Sequence, residues 1–279
     1  MAEKKTGTKA AASKKTAAKK TAAKKAPAKK APVKKPASNG SEQVTANFPM
    51  FYKNISVLNK DAHADLKITP PKNFNFAKEA NSIIVMASEF AQAAMHYPIV
   101  FGQIGQDTVS FAVTGHVEGA NNFVDAKGKW RADTYIPAYV RRYPFILVQS
   151  QDSTQLSLAL DESADMVVKR GGEALYEKGE PTDTAKRALQ FCASFRKEME
   201  RTAALMKQIN DTGILIERTA EITTAKEEKQ RIIGFSIVDE KALMELADDK
   251  FLELRKTGAL NLIYCHLWSM RVWDNLLDE

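Results

Sequence analysis

Tyr135-Ile-Pro-Ala-Tyr-Val-Arg-Arg-Tyr-Pro-Phe-Ile-Leu-Val148 sets two adjacent arginines, Arg141 and Arg142, inside a run that is otherwise aromatic, aliphatic or proline. Such a run is driven out of water. A guanidinium carried inward with it is costly unless it meets an anionic or carbonyl partner. The segment therefore belongs inside a folded body, and the rest of the chain is read around it.

Ahead of this stretch the pattern is of short strands. Ser82–Met86 reads as a buried strand, Ser88–Met95 as a helix capped by Ser88, and Tyr97–Phe101 as a further strand. Val109–Val113 alternates, and Asn121–Trp130 reads as a hairpin turning near Gly128. Beyond the central stretch, Gln155–Leu160 alternates again. From Thr182 the period becomes helical, with Ala185, Leu189, Cys192, Phe195, Met199, Ala203, Met206 and Ile209 on one face. Thr182 or Asp183 caps that helix and Gly213 follows its end. A second hairpin is expected over 214–237, turning at 225–230. A short helix capped by Asp239 comes next, then one from Asp248 to Gly258, and a last one from Ala259 to Leu277. Strands and helices are segregated along the chain, which predicts an α+β fold.

Charge divides the chain in two. Residues 1–40 carry 13 of the 41 basic residues and one of the 34 acidic ones, so this part is +12 and the remainder −5. Lysine pairs recur every five residues: Lys14, Lys15, Lys19, Lys20, Lys24, Lys25, Lys29, Lys30, Lys34 and Lys35. The spacers are Ala, Thr and Pro, which recover almost none of the entropy of ordering, so residues 1–47 are expected to be disordered. Were they helical, a five-residue step would turn the pairs by roughly 140° each time and leave no apolar face for a membrane. A polyanion is the expected partner: nucleic acid bound without sequence preference, or an anionic envelope polymer. Without aromatic residues among the lysines, stacking on single-stranded bases is not expected. Residues 48–279 are read as one globular domain.

Cys192 and Cys265 sit at apolar helix positions and read as reduced core thiols. No apolar run is long enough to span a bilayer and no secretory signal is evident, which points to the cytoplasm. The four histidines are too scattered for a metal signature, and Gly102-Gln-Ile-Gly105 lacks the remainder of either a dinucleotide or a phosphate loop. No cofactor, metal or catalytic residue is predicted. Three constellations stand out. His96, His116, Glu118, Arg141 and Arg142 could line an anion or carboxylate pocket; alternatively, an arginine pairs with Glu118 or Asp133 to hold a sheet to a short helix. Gly171-Gly172 reads as a turn rather than a phosphate cradle. Tyr264, His266, Trp268 and Trp273 read as core or a partner face.

Met50–Asn59, His96–Phe101, Gly119–Phe123, Tyr135–Phe145 and Gly234–Glu240 together resemble the bacterial SapC family, as does the closing Ile263–Leu267, over about residues 50–275. The resemblance implies an association, by family name, with paracrystalline surface layers, and it carries over no active site. Its basic arm departs from the usual family start, and the arm's Lys/Ala/Pro repeats are similar to linker-histone tails. Three functional readings result: a non-enzymatic binding protein tethered to a polyanion, an envelope or surface-layer component exported without a classical signal, and a small-anion-binding or modifying enzyme near Glu118, Arg141 and Arg142.

Overall fold

The computed structural model of the chain describes residues 48–149, 155–223 and 229–277. The basic arm and its paired lysines lie outside the described residues, as does most of the turn expected over 225–230. The fold is α+β, as its segregated strand and helix patterns predict.

The first strands are short, β1 (Ile55–Val57), β2 (Lys67–Ile68) and β3 (Ser82–Ile84), the last ending before Met86 and burying only its central Ile83. A 3-10 turn then leads into the single-turn helix α1 (Phe90–Ala93). Its start is organised by Glu89 and not by Ser88. The Glu89 carboxylate reaches back to accept from the Met86 N–H at 2.9 Å, while Ser88 is exposed. β4 (Ile99–Ile104) and β5 (Asp107–Val113) then pair in unbroken register from Ile99↔Ala112 to Ile104↔Asp107. Gly105, at φ +63, opens the two-residue loop between them, where a left-handed residue matches the strand twist.

Over 121–130 the expected turn at Gly128 is present, but pairing is limited to a single bridge, Val124↔Trp130. Arg131 N–H to Phe123 O is a bond of that bridge, while Gly128 O is engaged elsewhere, accepting from Phe74 N–H at 2.7 Å. The central stretch splits into α2 (Ala138–Arg142) and β6 (Phe145–Gln149) around the Tyr143–Pro144 peptide, which is cis. Pro144 sets that break, because a residue preceding proline is pushed from helical to extended backbone, and Tyr143 has ψ 135.

β7 (Leu156–Asp161) pairs with β6 on one side and β1 on the other. β8 (Val167–Val168) and β9 (Glu173–Ala174) flank β2, while β10 (Tyr176–Glu177) and β11 (Glu180–Pro181) form a small hairpin. Between β8 and β9, Gly171 and Gly172 turn over β2. A Cβ on Gly172 would lie 2.4 Å from Ile68 O.

Helix α3 (Asp183–Asp211) begins where the sequence places it, with Thr182 Oγ1 accepting from Ala185 N–H. Its buried face is Ala185, Cys192, Phe195, Thr202, Leu205, Met206 and Ile209. Leu189, Met199 and Ala203, expected on that face, are exposed, because the contact seam runs through Thr202 and Leu205 instead. β12 (Leu215–Thr223) and β13 (Lys229–Val238) form the second hairpin. α4 (Glu240–Met244) is capped by Asp239, and α5 (Asp248–Thr257) ends at Gly258 with φ +86. α6 (Ala259–Ser269) stops earlier than its apolar pattern suggests and is followed by a 3-10 turn at Trp273–Leu276.

The main sheet has the order β12-β13-β4-β5-β3, and its core includes Ile83, Phe90, Tyr97, Ile99, Phe101, Met206 and Ile263. Its β13–β4 seam pairs only at Ser236↔Phe101. Continuing that register would match Val238 with Ile99 and Gly234 with Gln103. His266 enters at the first position: its Nδ1–H donates to Ile99 O at 2.6 Å and its Nε2 accepts from Val238 N–H at 3.0 Å. Gly234, at φ +80, turns β13 away at the other. A second core, with Tyr52, Ile55, Tyr143, Ile146, Ala159 and Met166, lies against the β1-β7-β6 sheet.

Candidate functional site

The two arginines of the central stretch go to different environments. Arg141 is half exposed; its Nε donates to Ile136 O at 2.9 Å and its Nη2 to the Tyr135 hydroxyl at 3.0 Å. Tyr135 in turn donates to Glu89 Oε1 at 2.7 Å, and Arg141 Nη2 stands 4.0 Å from that oxygen. Burial, followed by the Glu89 carboxylate, pushes the Tyr135 phenol up to about 12. The carboxylate facing Arg141 is thus Glu89, in place of Glu118 or Asp133. Glu89 also accepts from Ala138 N–H at 2.6 Å, fixing the start of α2.

Arg142 is buried in an aromatic cage, its guanidinium 4.5 Å from the Phe195 ring, 4.7 Å from Tyr139 and 5.5 Å from Tyr52. Among the described residues the buried Arg142 Nε has no hydrogen-bond partner, and Tyr52, one wall of the cage, donates its hydroxyl proton to Phe145 O at 2.6 Å. Burial raises both phenols, and the guanidinium opposes that rise. Neighbouring Cys192 is free and burial pushes its thiol up to about 11, away from nucleophilic character.

His116 and His96 do not join the arginines. His116 Nδ1 lies 2.9 Å from Leu276 O, and His96 O accepts from Asn275 Nδ2 at 3.0 Å, so both meet the C-terminal 3-10 turn. Glu118 is exposed. The five residues are therefore divided between α2, which carries both arginines, and the segments before β4 and after β5, which carry His96, His116 and Glu118. Tyr264 and Trp268 also part from His266, facing solvent while the imidazole is fully buried.

What the structure assembles instead centres on Asp161, at the end of β7 and fully buried. Its Oδ2 accepts from Lys53 N–H at 2.8 Å and from the Tyr143 hydroxyl at 3.3 Å. Its Oδ1 accepts from Asn54 N–H at 3.2 Å, Ser163 N–H at 2.9 Å and Ser163 Oγ at 2.6 Å. One carboxylate thereby joins the lead-in to β1, the α2–β6 junction and the turn after β7. Burial, then Asp161, lifts the Tyr143 phenol above its ordinary range. The sequence signal was an Asp-x-Ser turn closing an alternating strand, a pattern in which the side chain bonds its own backbone two residues on.

Beside Asp161 opens a cavity of about 450 Å³, within the size range of small-ligand sites. Phe51, Phe76 and Tyr143 make its aromatic wall, with Phe76 stacked on Tyr143 at 4.3 Å. Lys53, Lys72, Asn73, Asn75, Ser163 and Asp165 supply its polar groups. Phe51 occupies the third position of a turn closed by Tyr52 N–H to Pro49 O, at φ +82, where glycine is the favoured residue. This conformation accompanies a division of roles: Phe51 lines the cavity while Tyr52 contacts Arg142. Met50–Asn59 and Tyr135–Phe145, two of the stretches that carry the family resemblance, thus meet at this junction.

His63 forms a further buried cluster. Its Nδ1 accepts from Asn59 N–H at 2.9 Å, so Nε2 bears the proton and donates to Glu162 Oε1 at 2.9 Å. Ser56 Oγ lies 3.4 Å from that same Nε2. A Ser-His-acid relay needs hydroxyl and acid on opposite ring nitrogens, an arrangement this cluster lacks. The His63 hydrogen bond holds the Glu162 carboxyl below its usual range.

Among the described residues, no three His, Cys, Asp or Glu side chains group to hold a metal, and no helix is long and apolar enough to cross a membrane. No curated protein and no solved structure matches the chain. The SapC family model matches residues 58–276, most of the folded body, including the Tyr135–Phe145 stretch and Asp161, and on that match the chain belongs to the SapC family.

Proposed function

We propose that this SapC-family chain is a non-enzymatic binding protein whose globular body is tethered by its basic arm to a polyanion, nucleic acid in the first instance. The observation that carries the reading is the division of charge, +12 over residues 1–40 against −5 over the remainder. Lysines spaced by Ala, Thr and Pro neutralise phosphates and release counterions without reading bases. An acidic body does not compete for the same partner, so binding is confined to the arm. Within the body, Glu89, Asp161, His63 and His266 each bond main-chain groups, a use of buried polar atoms that serves architecture.

The test is an electrophoretic mobility shift on random-sequence duplex DNA. It compares the full chain with a full-length variant in which the ten paired lysines are replaced by glutamine. The expected result is a shift that is lost in the variant. Equal shifts for both proteins would remove the arm from the account. A loss of binding to anionic envelope polysaccharide, with no DNA shift in either protein, would move the partner to the cell envelope.

A further inference from the structure

The cavity beside Asp161 has the chemistry of a ligand site, and we propose that it binds an anionic sugar unit, a pyranose ring bearing a carboxylate or phosphate. This goes beyond the tethering role and rests on the body alone.

Three features define the ligand class. The wall formed by Phe51, Phe76 and Tyr143 offers a nonpolar surface of the kind a sugar ring packs on through its C–H groups. Asn73, Asn75, Ser163 and Asp165 offer donors and acceptors of both kinds, suited to several hydroxyls. Lys53 and Lys72, both exposed residues, supply two cations to the lining against the carboxylate of Asp165. The Asp161 carboxylate behind it is engaged by five hydrogen bonds, so the groups open to a ligand favour an anion.

The lining is also held in place from behind. Asp161 fixes the backbone of Lys53 and Ser163 and the hydroxyl of Tyr143, three of the cavity's own residues. Asn73 Oδ1 accepts from Asn75 N–H at 3.1 Å, and Gly128 packs so closely that a Cβ there would sit 2.4 Å from Asn75 Oδ1. Phe51 retains an aromatic ring at a left-handed turn position that glycine would occupy without strain. That outlier lies in the wall of the cavity. The ring also packs edge-on against Phe76, Tyr139 and Tyr143, which holds it in the wall.

Isothermal titration of the full chain with glucose 6-phosphate, glucuronate, neutral glucose and adenosine monophosphate tests the proposal. A parallel arm with trigalacturonate separates a free sugar anion from the end of a polymer. The comparison protein is the full-length Lys53→Gln/Lys72→Gln double variant. It keeps the arm, so any binding to the arm cancels, and both replaced side chains are exposed, so the fold is retained. Binding of a sugar anion that weakens by about ten-fold in the double variant, with glucose weaker than either charged sugar, is the expected outcome. Phe51→Gly, which removes ring and strain together, is expected to abolish binding while leaving the far-ultraviolet circular dichroism unchanged. Equal affinity in the wild type and the lysine variant, or no binding of any sugar anion, would overturn the proposal. Tighter binding of adenosine monophosphate than of the sugar anions would overturn the assignment of the ligand as a sugar. None of these results depends on whether the arm binds DNA.

Discussion

Ile99 and Val238 face each other across the main sheet at the position of a ladder rung, but the rung between them is the imidazole of His266. The ring takes the Val238 N–H on Nε2 and gives its Nδ1–H to Ile99 O. This bridge needs a neutral histidine with the proton on Nδ1, since a protonated ring has no lone pair for Val238 N–H.

The pH dependence follows from that arrangement. Burial lowers the His266 pKa from 6.5 to about 4, opposed by its bond to Ile99. The unfolded chain therefore takes up this proton first as pH falls. The contribution is fully present above the unfolded pKa of 6.5 and is lost progressively as pH drops toward about 4. The loss amounts to about 3 kcal/mol at most. Urea unfolding of the wild type and His266→Gln between these pH values checks it: the wild type should lose stability on acidification more steeply than the variant. Parallel profiles would remove His266 as the source.

Asp161→Ala leaves the backbone N–H groups of Lys53, Asn54 and Ser163 and the Tyr143 hydroxyl without their acceptor. A loss of about 3 kcal/mol or more is expected by denaturant titration. The near-ultraviolet signal of Tyr143 and its aromatic neighbours should change with it. A loss under about 1 kcal/mol would show that water replaces the carboxylate and that Asp161 does not hold the junction.

Glu89 and Arg141 are in contact but should respond very differently to removal. Glu89→Ala deprives Met86 N–H, Ala138 N–H and Tyr135 of an acceptor inside the fold, for an expected cost of about 2–4 kcal/mol. Arg141→Ala removes a half-exposed guanidinium 4.0 Å from its carboxylate, for less than about 1 kcal/mol. Thermal unfolding of the two variants side by side gives the comparison. Equal losses would mean that the ion pair, and not the backbone bonds, holds α2.

Gly171 and Gly172 share φ +74 but differ in surroundings. Alanine at Gly171 meets nothing within 4 Å, so only the left-handed backbone is strained, at about 1 kcal/mol. Alanine at Gly172 adds a clash with Ile68 O and should cost clearly more, while breaking the β2–β8–β9 sheet. Chemical denaturation of both variants reads the difference directly.

Local chemistry made much of the fold legible. Thr182 and Asp239 announce helices because their side-chain oxygens meet free N–H groups close by in sequence, and Gly258 ends one because no other residue takes its φ so cheaply. The resemblance was legible too, since its stretches are contiguous. Partners distant in sequence were not. A hydrophobic period says that Arg141 lies beside a core but not that Glu89, on another element, is its carboxylate. Nothing near His266 signals that its ring lies in the seam of the main sheet, 167 positions from Ile99. The stripe on α3 was misread at Leu189 and Met199 because periodicity fixes the width of an apolar face but not the line along which a neighbour crosses it.

The central claim is that the arm, and not the body, engages a polyanion, and the salt dependence of duplex DNA binding tests it most directly. With about six lysines engaged, log K for the full chain should fall against log salt with a slope of about −5. In the ten-lysine variant both the binding and the slope should be lost. A full-chain affinity that is insensitive to salt, or a slope retained without those lysines, would contradict the account.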